Sequence, residues 1–166
     1  MKKLVLLFSM LVLLAVSNGL KAQVQDYKSA IGLRLGSPLA ASYKFFISDP
    51  AAIELYVGFR SYSSIGYTFI NPGAMYQYHF EIPSIDGLAW YVGGGASVYL
   101  YSYKASFGTA GAGFGFGING VLGLDYKFAN APINLSVDWL PTIVIGGDYT
   151  GFGAGYGALS ARYTLN

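Results

Sequence analysis

Hydrophobic and polar residues alternate one for one along most of this chain, and the clearest run is Phe114 to Trp139. Phe114, Phe116, Ile118, Leu122, Leu124, Tyr126 and Phe128 share one parity, broken only by Gly120. Gly115, Gly117, Asn119, Val121, Gly123, Asp125 and Lys127 share the other. After Ala129-Asn130-Ala131-Pro132 the pattern resumes, with Ile133, Leu135, Val137 and Trp139 against Asn134, Ser136 and Asp138. Successive side chains of a strand point to opposite faces, so this reads as a hairpin with one apolar face and one small, polar or charged face.

The same unit recurs along the chain. Strand one is expected over about Ser29–Leu35, strand two over Leu39–Ile47, strand three over Ala52–Arg60 and strand four over Gly73–Ile82. Strand five follows over Leu88–Tyr101, the run above supplies strands six and seven, and strand eight covers Phe152–Leu165. Gly36-Ser37-Pro38, Ser48-Asp49-Pro50 and Pro83–Gly87 read as turns. Longer connections are expected over Ser61–Pro72, Ser102–Gly113 and Leu140–Gly151.

A tilted strand crosses a bilayer in roughly 9–11 residues, about the length of these segments. The charged face cannot look at lipid, and the apolar face has little reason to look at water. Every backbone N–H and C=O in hydrocarbon needs a partner, so a sheet that crosses must close on itself. The expected fold is all-β: an eight-stranded antiparallel up-and-down transmembrane β-barrel. Short connections follow strands two, four and six, and long ones follow three, five and seven. In such barrels short turns face the periplasm and long loops the outside, which puts both termini at the periplasmic end. The tight reversal after strand one departs from that rule.

Composition sharpens the picture. Among 166 residues, glycine (23), tyrosine (15) and phenylalanine (11) are abundant, while charged residues make up 11%, far below the roughly 25% of soluble domains. There is no cysteine, so no disulfide, thiolate metal site or lipobox anchor is available. Residues 1–22 read as a signal peptide: Lys2 and Lys3 form a positive start, Leu4–Val16 an apolar stretch short for a membrane helix, and Ala22-Gln23 a cleavage junction. Residues 23–166 are then the barrel domain. Removing the leader with Lys2, Lys3 and Lys21 leaves 7 basic and 8 acidic residues, a near-neutral chain with no charge run for nucleic acid.

The leader, the eight alternating strands, the short and long connections and the terminal Ala161-Arg162-Tyr163-Thr164-Leu165-Asn166 together resemble the small OmpX/OmpA-type outer-membrane β-barrels, a porin-like architecture of Gram-negative bacteria. The Ala22-Gln23 junction resembles leaders of Bacteroidetes. The resemblance implies residence in the cell outer membrane, outer-membrane lipid and the insertion machinery as partners, and no cofactor. It implies no enzyme activity and supplies no ligand for the external loops.

The inward parity collects an interior charge network of Arg34, Lys44, Glu54, Arg60, His79, Glu81, Asp125, Lys127, Asp138 and Arg162. Mixed signs on an enclosed face imply pairing, because an unpaired buried charge is costly. If Ser48-Asp49-Pro50 is the turn, Lys44 lies directly opposite Glu54. Direction along the strands places Arg34, Arg60 and Asp138 in the outer half and the others in the periplasmic half. The plain reading is a salt-bridged plug, since eight strands enclose just enough room for side chains. The rival is a narrow gated conduit, favoured by inward Gly32, Gly58, Gly93, Gly95, Gly115 and Gly117. His79, the sole histidine, shares a face with Glu81, and Ser97 and Ser84 are its candidate partners in a lipid A-modifying barrel enzyme. No motif places them together. One histidine and no cysteine argue against a metal site. A soluble barrel holding a lipophilic ligand would need an apolar inner face. Outward aromatics (Trp90, Tyr126, Phe128, Phe45, Phe80 and Tyr163 near one rim, Phe59, Phe114 and Trp139 near the other) read as two interfacial girdles.

Overall fold

The computed structural model describes residues 27–63, 66–103, 111–146, 150–154 and 156–165; the leader expected over residues 1–22 lies outside the described residues. The strands are β1 (Ser29–Gly36), β2 (Leu39–Ser48), β3 (Ala51–Tyr62), β4 (Tyr67–Glu81), β5 (Leu88–Tyr103), β6 (Gly111–Lys127), β7 (Ile133–Trp139), β8 (Thr142–Ile145), β9 (Gly151–Gly153) and β10 (Gly157–Leu165). All neighbouring strands are antiparallel, and β1 pairs with both β2 and β10, which closes the sheet. β7 and β8 both pair with β6 and together form one stave, interrupted at Leu140-Pro141. β9 pairs with β8 and β10 with β7, so they form the eighth stave. The molecule is therefore a closed eight-stave antiparallel barrel, and the described residues contain no helix.

Alternation decides which face each residue takes. Ile31, Leu33, Leu55, Val57, Leu122, Leu124, Val137 and Leu159 lie on the outer face, each between 44% and 54% exposed. Their sequence neighbours Ala30, Arg34, Glu54, Tyr56, Val121, Asp125, Asp138 and Ser160 are buried in the lumen. A soluble barrel places its apolar faces the other way round. Outward rings also pair along and across staves, as in Phe80–Trp90 (centroids 4.2 Å apart) and Tyr126–Phe128 (4.8 Å).

Three connections are shorter than the residue types suggest. β3 and β4 stay paired as far as Tyr62–Tyr67, passing through Asn71-Pro72, so the region Ser61–Pro72 is largely strand. β5 and β6 stay paired to Tyr103–Gly111. Thr142–Ile145 continues the seventh stave inside the region Leu140–Gly151. Glycine, serine and tyrosine look like loop composition, but here several inward tyrosines lie over a glycine on the next stave. Tyr56 faces Gly73, Tyr91 faces Gly123 and Tyr101 faces Gly113, and a Cβ on any of these glycines would strike the opposing ring. An aromatic ring thus supplies the packing that a strand glycine lacks. At Gly87, in the turn before β5, the backbone takes φ of 78° and a Cβ would strike the Lys127 carbonyl, so this turn requires glycine.

Candidate functional site

The lumen holds a connected set of charged and polar side chains. Arg34 on β1 donates from Nη1 to both Glu54 carboxylate oxygens (2.9 and 3.0 Å) and from Nη2 to Asp138 Oδ1 (2.8 Å). It thereby ties β1 to β3 and, across the lumen, to β7. Glu54 also accepts from Gln77 Nε2 (2.7 Å) and from Arg162 Nη2. Arg162 on β10 spends its remaining donors on Ser42 Oγ (2.9 Å), Ser136 Oγ (2.7 Å) and Asn134 Oδ1 (3.3 Å). The planar guanidinium fork matches carboxylates in this way, and such charge-assisted bonds are the strong ones. Tyr91 Oη donates to the second Asp138 oxygen (2.9 Å).

Below this layer Lys44 reaches Asp125 across the lumen (Nζ to Oδ2, 2.7 Å). Asn134 Nδ2 donates to the other Asp125 oxygen (2.7 Å) and so links the two layers. Lys44 is opposite Glu54 in register, as the turn at Ser48-Asp49-Pro50 implies, yet its ion-pair partner is Asp125. Glu54 is already engaged by Arg34, Arg162 and Gln77. Buried Arg34, Lys44 and Arg162 are matched by buried Glu54, Asp125 and Asp138, so the charges balance.

His79 lies beside this set. Its ring sits between those of Phe46 and Tyr91, with both centroids 5.1 Å away. Nδ1 is 3.3 Å from the Pro50 carbonyl, and Nε2 is 3.5 Å from Asp125 Oδ2. Ser97 is paired with Gly73, six residues further along β4 and about 20 Å away at the rise of a strand, and its hydroxyl faces Asn119. The histidine and serine therefore do not form a base–nucleophile pair. Among the described residues no group of three or more His, Asp or Glu side chains is arranged to hold a metal ion.

Arg60, Glu81 and Lys127 keep the inward parity but do not join the buried group, because each stands at the end of a stave. Arg60 stacks on Tyr62 (4.6 Å to the ring centroid) at the end of β3. Glu81 is exposed at the last position of β4. Lys127 Nζ caps the next turn through the Phe128 and Ala131 carbonyls. Conversely, reading charge alone misses the neutral partners Tyr27, Ser42, Gln77, Tyr91, Asn134 and Ser136. All but Tyr27 share the inward parity, which is the signal that marks them. Tyr27 precedes the first strand. Its ring is buried at the Lys44–Asp125 end of the lumen, edge-on to Phe46 (5.3 Å), with its hydroxyl 3.3 Å from Asp125 Oδ2.

Around Asn119 the lumen side chains are polar and uncharged. Asn119 accepts from Thr142 (3.0 Å) and Ser97 (3.4 Å) and donates to Tyr56 Oη (3.3 Å). Above it lies a cavity of about 30 Å³ whose lining includes Arg34, Pro38, Tyr56, Asn71, Tyr99 and Tyr156. The space expected from inward glycines is taken up by the neighbouring strand's backbone, by tyrosine rings, by Pro38 at Gly58 and by Ser97 at Gly117.

Fold and site together define a class: a small closed β-barrel with an apolar exterior and a polar, charge-compensated lumen. In structure the chain is similar to the N-terminal β-barrel domain of Pseudomonas aeruginosa OprF, with a TM-score of 0.61 and 18% identity over 82% of this chain and 94% of that one. No protein-family model matches the sequence, and comparison with curated proteins finds no match.

Proposed function

We propose that this chain is an outer-membrane β-barrel, exported by its leader, with a structural or surface-interaction role, a sealed lumen and no catalytic activity. The observation that carries the reading is the inversion of faces. An apolar outer surface surrounds a lumen in which Arg34, Glu54, Arg162 and Asp138 are joined across the barrel. Such an object is stable only where the outside is lipid. The likeness in fold to the OprF barrel domain supports it. Outer-membrane lipid would surround the apolar belt, and the insertion machinery would read the terminal strand. The partners of His79, which are Pro50, Asp125 and two aromatic rings, support the non-catalytic part.

The test joins fractionation to reconstitution. The protein should partition with the outer membrane, and proteoliposomes containing it should lose a trapped small ion no faster than empty vesicles. Lipid A from cells with and without the protein should give the same mass spectrum. Recovery in the aqueous periplasmic fraction would defeat the membrane reading. Fast efflux would replace the sealed lumen by a conduit.

A further inference from the structure

The barrel wall is not of even height. β1 and β2 have 8 and 10 residues, whereas β4, β5 and β6 on the opposite side have 15, 16 and 17. The β2–β3 ladder stops at Leu39–Phe59, yet β3 continues through Arg60 to Tyr62 with β4 as its only neighbour. On the other flank β9 pairs with β8 alone, and the β1–β10 ladder stops at Gly36–Ala158. Among the described residues the sheet is therefore closed below the Ser37-Pro38 turn and open above it, between β3 and β9. The outer face stays apolar on both flanks of this gap: Phe59 is 56% exposed, Ile145 48% and Phe152 64%. Leu39, Phe59, Ile70, Leu100 and Phe114 are paired in turn from strand to strand, β2 to β6, and all are exposed apolar residues. On the reading proposed above, the gap thus faces the outer leaflet.

Behind the low sill lies the cavity lined by Pro38, Tyr56, Asn71, Tyr99 and Tyr156. Pro38 packs against Gly58, where a Cβ would strike the proline ring, so the turn leans inward. The tall wall continues the lining upward with aromatic rings, Phe69 against Tyr99 and Tyr67 against Tyr101 (both 6.2 Å between centroids). Arg34 is the one charged residue of the lining, and Glu54 and Asp138 already hold its guanidinium. Within this lining a charged headgroup finds no uncompensated partner, and Arg60 on the β3 flank lies outside it, stacked on Tyr62. A hydroxyl-rich ring suits it better, because its C–H face stacks on tyrosine and its hydroxyls share an amide and phenols that already bond neutral partners, Asn71 to the Val98 carbonyl and Tyr56 to Asn119. The cavity has room for about one or two waters, enough to take the hydroxyl-bearing edge of such a ring while its face lies on the wall.

The geometry points to a side entrance above Ser37-Pro38 through which the uncharged sugar of an outer-leaflet glycolipid reaches Tyr56, Asn71, Tyr99 and Tyr156. This inference rests on the outer-membrane reading, and the experiment separates the two. The full mature chain is inserted into phosphocholine bilayer discs, and insertion is checked by heat-modifiable mobility. Failure at that stage overturns the membrane reading itself. Inserted protein is then titrated with dodecyl β-glucoside, methyl β-glucoside and dodecylphosphocholine, following tyrosine ring resonances. Saturable binding of the alkyl glucoside is expected, with the free methyl glucoside weaker. Tyr99→Ala and Tyr156→Ala should each weaken it about tenfold, the loss typical of one well-packed anchor ring. Ala158→Phe, which fills the cavity from the sill side, should abolish it while the barrel stays heat-modifiable. Equal binding of dodecylphosphocholine, or tyrosine variants that bind like wild type, would overturn the sugar site. Equal binding of the methyl glucoside would overturn the side entrance.

Discussion

Glu54 accepts hydrogen bonds from Arg34, Arg162 and Gln77, and it is fully buried. Glu54→Gln keeps the shape and removes the charge between two guanidinium groups. Breaking a buried ion pair by neutralising one partner costs about 3–5 kcal/mol, because the other charge stays behind uncompensated. Arg34 retains Asp138, which places the expected cost near the lower end of that range. Arg60 stands half-exposed on Tyr62, where ion pairs and charges contribute on the order of 0–1 kcal/mol. Urea unfolding of the lipid-inserted protein should therefore show a clearly lower midpoint for Glu54→Gln and an unchanged one for Arg60→Gln. Equal midpoints for the two variants would mean that the lumen does not depend on this carboxylate.

At the scale of the strand, one residue of register separates the apolar outer face from the lumen. Val137 is 51% exposed on the apolar face, and Asp138 is 7% exposed with Arg34 and Tyr91 on its two oxygens. An arginine on the lipid face of a barrel costs roughly 2–4 kcal/mol at the bilayer midplane. In Asp138→Asn the shape is kept and Arg34 still holds Glu54, so the loss is partial. Folding yields into liposomes should fall in the order wild type, Asp138→Asn, Val137→Arg. The reverse order of the two variants would mean that β7, and β6 with it, are registered wrongly. The same scale explains why loop-like composition conceals strand. Tyr101 over Gly113 and Tyr103 over Gly111 pack as cross-strand pairs, so β5 and β6 continue well past the roughly ten residues that a crossing needs.

Closure is a property of the whole molecule, and it rests on β10. Ser160 is paired with Arg34 on β1 and Ser136 on β7, in the middle of the strand that joins the last stave to the first. Proline there removes a backbone donor from a ladder that has no edge to spare. Ser160→Pro should yield no heat-modifiable, protease-resistant species, whereas Ser160→Ala, which loses only a buried hydroxyl that makes no hydrogen bond, should fold as wild type. A normally folding Ser160→Pro would show that the barrel tolerates an open seam at β10.

The sequence by itself determined the faces and the number of staves. Alternation has a period of two residues, so Ile31 and Arg34, or Val137 and Asp138, are assigned to opposite sides without knowing what lies across the barrel. Turn residues fixed local register as well, which is why Lys44 stands opposite Glu54. Tertiary structure alone decided which charges meet. Lys44 pairs with Asp125 and Arg34 bridges Glu54 to Asp138 because strand tilt and stagger, set by closing all eight staves, bring distant strands to one height. The same tilt leaves Arg60, Glu81 and Lys127 at the rims although their parity points inward. It also sets the uneven rim, since a stave's height depends on its neighbours' lengths and stagger and not on its own residues.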